Sequence, residues 1–297
     1  MADDTEAWAL AGLVYEVRDA VAWMRMNRPA MRNALDHYPG GKGPGGMGLR
    51  DALLAAIRDA SEDKRVKAAV ITGTGTVFSA GADLKQPGGA LEIPPERRRS
   101  TTQARDDGVL YGWYRLTEAI WRSETPFIAA VNGPAVGAGC QLALACDLIY
   151  AVETATFWQI FARIGLPLEG GAAWLLTRSL SLPRAKEMAL LGEPLGAKEA
   201  ERWGLINRCV NEGELETVVT EVAKRLARSA PPSSSPAPFA KGKDLSARIG
   251  HVKGQLNAAW EQTMWQTFRE EVSLLNLPAG ELPRPSTTAD TPNGGIQ

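Results

Sequence analysis

The chain has 297 residues and a formal net charge of −1, with 44% hydrophobic and 23% charged residues. That length suits one large or two small domains around a buried core, and the balanced charge, with no basic stripe, argues against a nucleic-acid partner. The three cysteines, Cys140, Cys146 and Cys209, are odd in number and set in apolar surroundings, which excludes a disulfide framework, and their spacing does not suit a zinc site.

No apolar run reaches membrane-spanning length, and the acidic start Met1–Glu6 lacks the basic and apolar regions of a signal peptide. A cytoplasmic protein without a membrane partner is therefore expected. Residues 1–11 read as a short, loosely held lead. Leu13–Val17 and Ala20–Met26 read as two strands joined by a tight turn at Arg18-Asp19. The stretch Asp36–Gly48 is crowded with glycine and proline, which excludes helix until Leu49. It reads as a flexible insertion, either a plain surface loop or a lid. It is no phosphate-binding loop, because no Gly-Lys-Ser/Thr closes it.

Leu49–Ser61 follows as an amphipathic helix with Leu53, Leu54, Ile57 and Ala60 on one face, and Ala68–Thr72 as a buried strand. Pro87–Pro95 reads as a loop rich in glycine and proline, and Glu96–Gln103 as a polar, exposed run with a triple arginine. Val109–Ser123 is a predicted helix, apolar at Leu110, Trp113, Leu116, Ile120 and Trp121. Phe127–Val131 is a short buried strand opened by Pro126. It turns through Asn132-Gly133-Pro134 into a helix from about Ala138 that is apolar nearly all round, so it must be buried. The first amides of such a helix lack intrahelical partners and can hold developing negative charge.

Strands are expected at Leu148–Val152, Ala155–Gln159 and Ile206–Val210, and helices at Arg184–Leu191, Ala197–Trp203 and Glu214–Ser229. Ile164–Leu176 reads as a turn leading into a helix. Residues 231–238 form a breaker-rich hinge. Ala240–Leu275 reads as helical with a break near Gly250–Gly254, and 278–297 as a disordered tail. The alternation of strands and helices predicts an α/β fold.

Two stretches about fifty residues apart, Phe78-Ser-Ala-Gly-Ala-Asp-Leu-Lys85 and Asn132-Gly-Pro-Ala-Val-Gly-Ala-Gly-Cys-Gln141 with its helical continuation, closely resemble the crotonase (enoyl-CoA hydratase/isomerase) family. Met26–Leu35, Ala162–Leu176 and Gly192–Val210 match in the same order, so the resemblance spans roughly residues 12 to 275. It implies a ββα spiral core over 12–210 that binds acyl-CoA. It also implies a C-terminal helical region over 211–277 that packs across a homotrimer or a dimer of trimers. CoA would be part of the substrate, with no separate cofactor and no metal.

By motif matching, the backbone N–H groups of Ala82 and Ala138 form an oxyanion hole for a thioester enolate. The CoA moiety would lie along Ala80, Ala82, Asp83, Leu84 and Lys85 with Gly137, and Arg28 and Arg32 would either meet its phosphates or stand as solvated surface charges. The triple arginine Arg97–Arg99 would either meet CoA or, as is commoner, stand as solvated charge. The resemblance places the two glutamates of the hydratases at Gln141 and Phe161. Gln141 can orient a water but cannot take a proton near neutral pH, and Phe161 can do neither. The remaining carboxylate is Glu169, at a position where some family members carry a catalytic aspartate. It would either shuttle a proton or cap the helix that follows.

The resemblance thus implies double-bond isomerisation through Glu169. Hydration or C–C hydrolysis through Gln141 and Glu169, and a silent CoA-thioester binder, stay open. A nicotinamide-dependent oxidoreductase is disfavoured by the incomplete glycine fingerprint. Trp113, Trp158 and Phe161 are expected in the acyl pocket, with Trp121 and Trp174 as further candidates, which hints at a cyclic or aromatic acyl group. The two histidines, His37 and His251, are expected to be exposed.

Overall fold

The computed structural model describes residues 2–37, 41–85, 109–227 and 245–259. The predicted loop 87–103, the hinge 231–238, the helical stretch beyond residue 259 and the tail 278–297 lie outside these residues. The described residues fall into two compact units, one within Met1–Gly250 and one within His251–Gln297.

Short apolar runs build a six-stranded sheet in the order β1-β2-β3-β4-β6-β9. Its strands are β1 (Leu13–Arg18), β2 (Val21–Met26), β3 (Ala68–Gly73), β4 (Phe127–Val131), β6 (Leu148–Val152) and β9 (Arg208–Val210). β1 and β2 pair antiparallel and every other pair is parallel. The hairpin turn falls on Asp19 and Ala20, one place later than predicted, because both adopt the left-handed φ of 51° and 61° that fits the twist of a two-residue turn. β3 and β4 are buried at every residue, as inner parallel strands covered on both faces must be.

A small second sheet holds β5 (Ala135–Val136), β7 (Thr156–Trp158) and β8 (Leu195–Gly196). Each long strand is followed by a short segment in this second layer: β4 by β5, and β6 by β7. Two isolated parallel bridges continue the pattern, Ser79 with Ala135 and Leu35 with Ala82. The second layer is thus where the two motif stretches meet.

The helices are α1 (Ala2–Leu10), α2 (Leu49–Glu62), α3 (Val109–Arg122), α4 (Ala138–Ala145), α5 (Ala172–Ser179), α6 (Leu182–Leu191), α7 (Ala197–Arg202), α8 (Leu215–Ala227) and α9 (Leu245–Ala259). α2 begins at Leu49, as the glycine-rich stretch before it requires. α4 is buried from Gly139 to Ala145, as its apolar circumference demands. Among the described residues no helix is long and apolar enough to cross a membrane.

Two expectations fail. The described residues 2–11 are not a loose lead: α1 is tied down by Trp8, which is buried and meets Tyr15 edge to face at 5.2 Å. Truncation of Trp8 to alanine is expected to cost about 3 kcal/mol in urea unfolding; a change near zero would mean the helix is not part of the cooperative unit. The break near Gly250–Gly254 is absent, since α9 runs unbroken through both glycines. A glycine lowers helix stability by about 1 kcal/mol, which packing can offset.

Candidate active site

The loop after β3 brings Ala82 into place by using up the amides around it. Ser79 Oγ donates to Asn33 O at 2.8 Å and accepts from Gly81 N at 3.1 Å. Ala80 N donates to Arg32 O and Asp83 N to Leu35 O, while Leu35 N donates to Gly81 O. Among the described residues the Ala82 amide donates to no acceptor. The loop after β4 repeats the arrangement. Val136 N donates to Ser79 O, Gly137 N to Trp158 O, and Gln141 N to Gly137 O, which leaves the Ala138 amide without an acceptor among the described residues.

Both alanines line one cavity of about 80 Å³. Its wall also holds Ala80, Asp83, Leu84 and Gly137 from the motif stretches, and Gln141, Phe161, Glu169 and Trp113 from the helices and turns around them. Ile160, Ile164 and Leu166 add apolar surface, and His37 completes the described wall.

Glu169 sits in the turn before α5. That turn is fixed by Ala172 N donating to Glu169 O at 3.0 Å and by Thr117 Oγ1 of α3 donating to Gly170 O at 2.8 Å. No side chain caps the start of α5, so the carboxylate is not a helix cap. Among the described residues it has no hydrogen-bond or ion-pair partner. Burial pushes its carboxyl above the ordinary glutamate range, because desolvation penalises the charged form. Asp83, the other carboxylate of the wall, faces Arg28 at 3.7 Å. Gln141 is 3% exposed, and its Nε2 has no acceptor among the described residues. Phe161 is buried against the same space.

Several predicted site residues stand elsewhere. Arg32 and Lys85 are exposed and not part of the described wall. Arg28 is a largely buried ion-pair partner, not a solvated surface charge. Its side chain is 10% exposed, pairs with Asp36 at 2.8 Å and donates to Ala34 O at 2.7 Å. Burial raises the Asp36 carboxyl above its ordinary value, against the Leu49 amide and Arg28, which favour the charged form. Removing Arg28 leaves that carboxylate buried without its cation. Arg28→Ala is therefore expected to cost about 3 kcal/mol of stability, and Arg28→Ala/Asp36→Asn to recover part of it in the same denaturation series.

Trp158 turns away from the cavity, its indole N–H donating to Gly192 O. Trp121 and Trp174 pack on each other edge to face at 4.5 Å. Of the predicted tryptophans, Trp113 alone lines the described wall. His37 was expected at the surface and is 6% exposed, edge-on to Trp113 at 6.4 Å. No signal in the sequence marked it, because the burial comes from how the loop closes. His251 is exposed, as predicted.

Cys140 is fully buried and its thiol is pushed up to about 12 by desolvation, which removes it as a nucleophile. Among the described residues no three His, Cys, Asp or Glu side chains cluster to hold a metal ion. A larger cavity of about 650 Å³ opens near the carboxyl ends of β3, β4 and β6. It contains none of the motif alanines. Several of its polar groups pair within it, as when Thr154 Oγ1 donates to Glu212 at 2.7 Å and Gly73 N to Asn132 at 3.0 Å.

The chain matches the family model for enoyl-CoA hydratase/isomerase over residues 16–274. It is 37% identical over 214 residues to the 4-chlorobenzoyl coenzyme A dehalogenase-1 of Arthrobacter sp, covering 71% of each chain. It is 32% identical over 256 residues to the mitochondrial enoyl-CoA hydratase of Pongo abelii, covering 86% of this chain and 75% of that protein. Among solved structures, an enoyl-CoA hydratase from Polaromonas sp. JS666 superposes with a TM-score of 0.71 at 27% identity, covering 90% of this chain and 92% of the other. A mixed α/β layering, two motif loops meeting over one cavity, and these likenesses agree: the chain belongs to the enoyl-CoA hydratase/isomerase family, enzymes acting on CoA thioesters.

Proposed function

We propose that this protein moves a double bond within an unsaturated acyl-CoA, with Glu169 as the single proton shuttle. Glu169 takes a proton from one carbon, and electron density flows to the thioester oxygen. The amides of Ala82 and Ala138 hold that oxygen as an enolate, each lowering the barrier by about 3 kcal/mol. The conjugate acid of Glu169 then returns the proton to another carbon, so no water is gained or lost. The CoA moiety would run along Ala80–Leu84 at the mouth of the cavity.

One observation carries this reading: Glu169, a half-buried carboxylate without a partner among the described residues, shares a cavity with two amides that lack acceptors. The relatives named hydratases favour addition of water instead. Against that stand Gln141, which is neutral, and Phe161, which makes the wall apolar where a second carboxylate would be needed. A second reading is supported by the dehalogenase relative and by the aromatic wall of Trp113 and Phe161. In it, Glu169 assists hydrolytic removal of a halogen from an aromatic acyl-CoA.

The test follows straight-chain enoyl, dienoyl, cyclic and halogenated aromatic CoA thioesters by mass spectrometry, in deuterated and in heavy-oxygen water. Deuterium exchange or double-bond migration without gain of water supports isomerisation. Heavy-oxygen uptake sinks it and points to hydration, or to dehalogenation when halide is released as well. Binding without conversion of any thioester leaves a silent binder.

A further inference from the structure

His37 lies in the cavity for a reason built into the backbone. The glycine-rich loop closes at its base, where Leu49 N donates to Asp36 Oδ1 at 2.7 Å and Arg50 N donates to Asp36 O at 3.0 Å. Gly48 permits the pinch: a Cβ there would lie 2.2 Å from Asp36 O and 2.5 Å from His37 N. With its main chain clamped to the start of α2, His37 meets the edge of Trp113, whose ring also carries the Arg50 guanidinium 5.2 Å from its centroid.

The imidazole therefore shares a wall with Glu169, Gln141, Trp113 and Phe161. An imidazole has two ring nitrogens, so it can keep one partner within the protein and present the other to a ligand. Gln141 gives an independent sign of what the cavity takes. Among the described residues its Nε2 is a buried donor without an acceptor, and its Oε1 is wedged against Gly170, 2.4 Å from where a Cβ would stand. A purely hydrocarbon acyl group would leave the Gln141 donor without an acceptor, at a cost of about 1–3 kcal/mol.

We infer that His37 is a specificity residue, and that the acyl group is a flat one bearing a hydrogen-bonding oxygen substituent that His37 reads. The inference rests on the proposed thioester site, but not on the reaction that Glu169 performs there. A site built to bond such an oxygen discriminates strongly against the analogue lacking it.

The experiment is calorimetric titration of the intact protein with benzoyl-CoA and with its three monohydroxylated forms, which occupy the cavity without needing to react. The wild type is expected to bind at least one hydroxylated form about tenfold more tightly than benzoyl-CoA. The preference should fall below about twofold in His37→Phe, where the ring is kept and the nitrogens lost, and return in part in His37→Asn. His37→Ala carries the same comparison if the phenylalanine variant melts early. Equal affinities in the wild type overturn the inference, as does a preference that survives in His37→Phe or His37→Ala. Wild-type binding with the expected preference but no deuterium exchange sinks the isomerase reading alone. Exchange with a preference indifferent to His37 sinks this inference alone.

Discussion

Replacing Glu169 by glutamine is expected to lower kcat by about a thousandfold while leaving thioester affinity within about threefold of wild type. The substitution keeps the shape of the side chain and removes only its ability to carry a proton. No hydrogen bond or ion pair of Glu169 is lost among the described residues, so the surrounding turn has no reason to move. Unchanged turnover, or binding lost in step with turnover, would remove Glu169 from the chemistry. The wild-type kcat/KM should rise with pH as the carboxyl ionises, with a midpoint above that of an ordinary glutamate.

The same burial has a consequence for stability, with a definite sign. A carboxyl whose pKa is raised by folding contributes stability below its unfolded pKa and loses it as pH rises through the folded value. At neutral pH the wild-type enzyme therefore holds a charge that folding disfavours. Glu169→Gln should melt above wild type at neutral pH, and the gap should close as the pH falls below the ordinary glutamate value. A variant that melts lower at neutral pH would mean the carboxylate is stabilised by a contact in the folded state.

Gly81→Ala is expected to be nearly as damaging to turnover, by a different route. Gly81 has a φ of +85°, and a Cβ there would stand 2.4 Å from Val136 O and 3.2 Å from the Ala138 nitrogen. The left-handed conformation costs a non-glycine residue about 1–2 kcal/mol. The close contact is worse, because it pushes apart the two loops whose amides, in the proposed reaction, converge on one oxygen. Loss of one such donor costs about 100- to 1000-fold in rate, and kcat should fall by that order when measured well below the melting point. Gly204→Ala is the control. Gly204 has a φ of +77° with nothing within 4 Å of the added methyl, so it carries the strain alone and kcat should stand. Equal losses in both variants would reduce the effect of Gly81→Ala to general destabilisation.

The strands and the buried helix α4 were legible because their signal is local: Ala68–Gly73 and Phe127–Val131 are apolar throughout, and burial follows. The motif loops were legible for a related reason, since small residues are the ones that let Gly81 and Ala138 approach. Whether a side chain faces inward or outward was harder to read. Arg28 looks like a surface cation until Asp36, eight residues on, folds back onto it. Trp158 and Trp113 are alike in sequence, yet one indole is claimed by Gly192 and the other faces the cavity. His37 was misjudged because glycine and proline around it signal a loop correctly but say nothing of what the closed loop encloses. Trp8 is the same case, as its burial depends on a partner, Tyr15, in the next element.

The pinched base of that loop also separates two things that sequence runs together. Asp36 and Gly48 meet whatever lies between them, so the stem fixes where the chain leaves and re-enters the fold. Doubling the length of a loop closed in this way costs only about 0.6 kcal/mol of chain entropy. Such a stem behaves as a socket: the contacts at Asp36 and Gly48 hold the start of α2 in place. For a designer seeking new acyl selectivity, the practical site of change is then His37, the residue beside this stem that lines the cavity, with the motif loops left untouched.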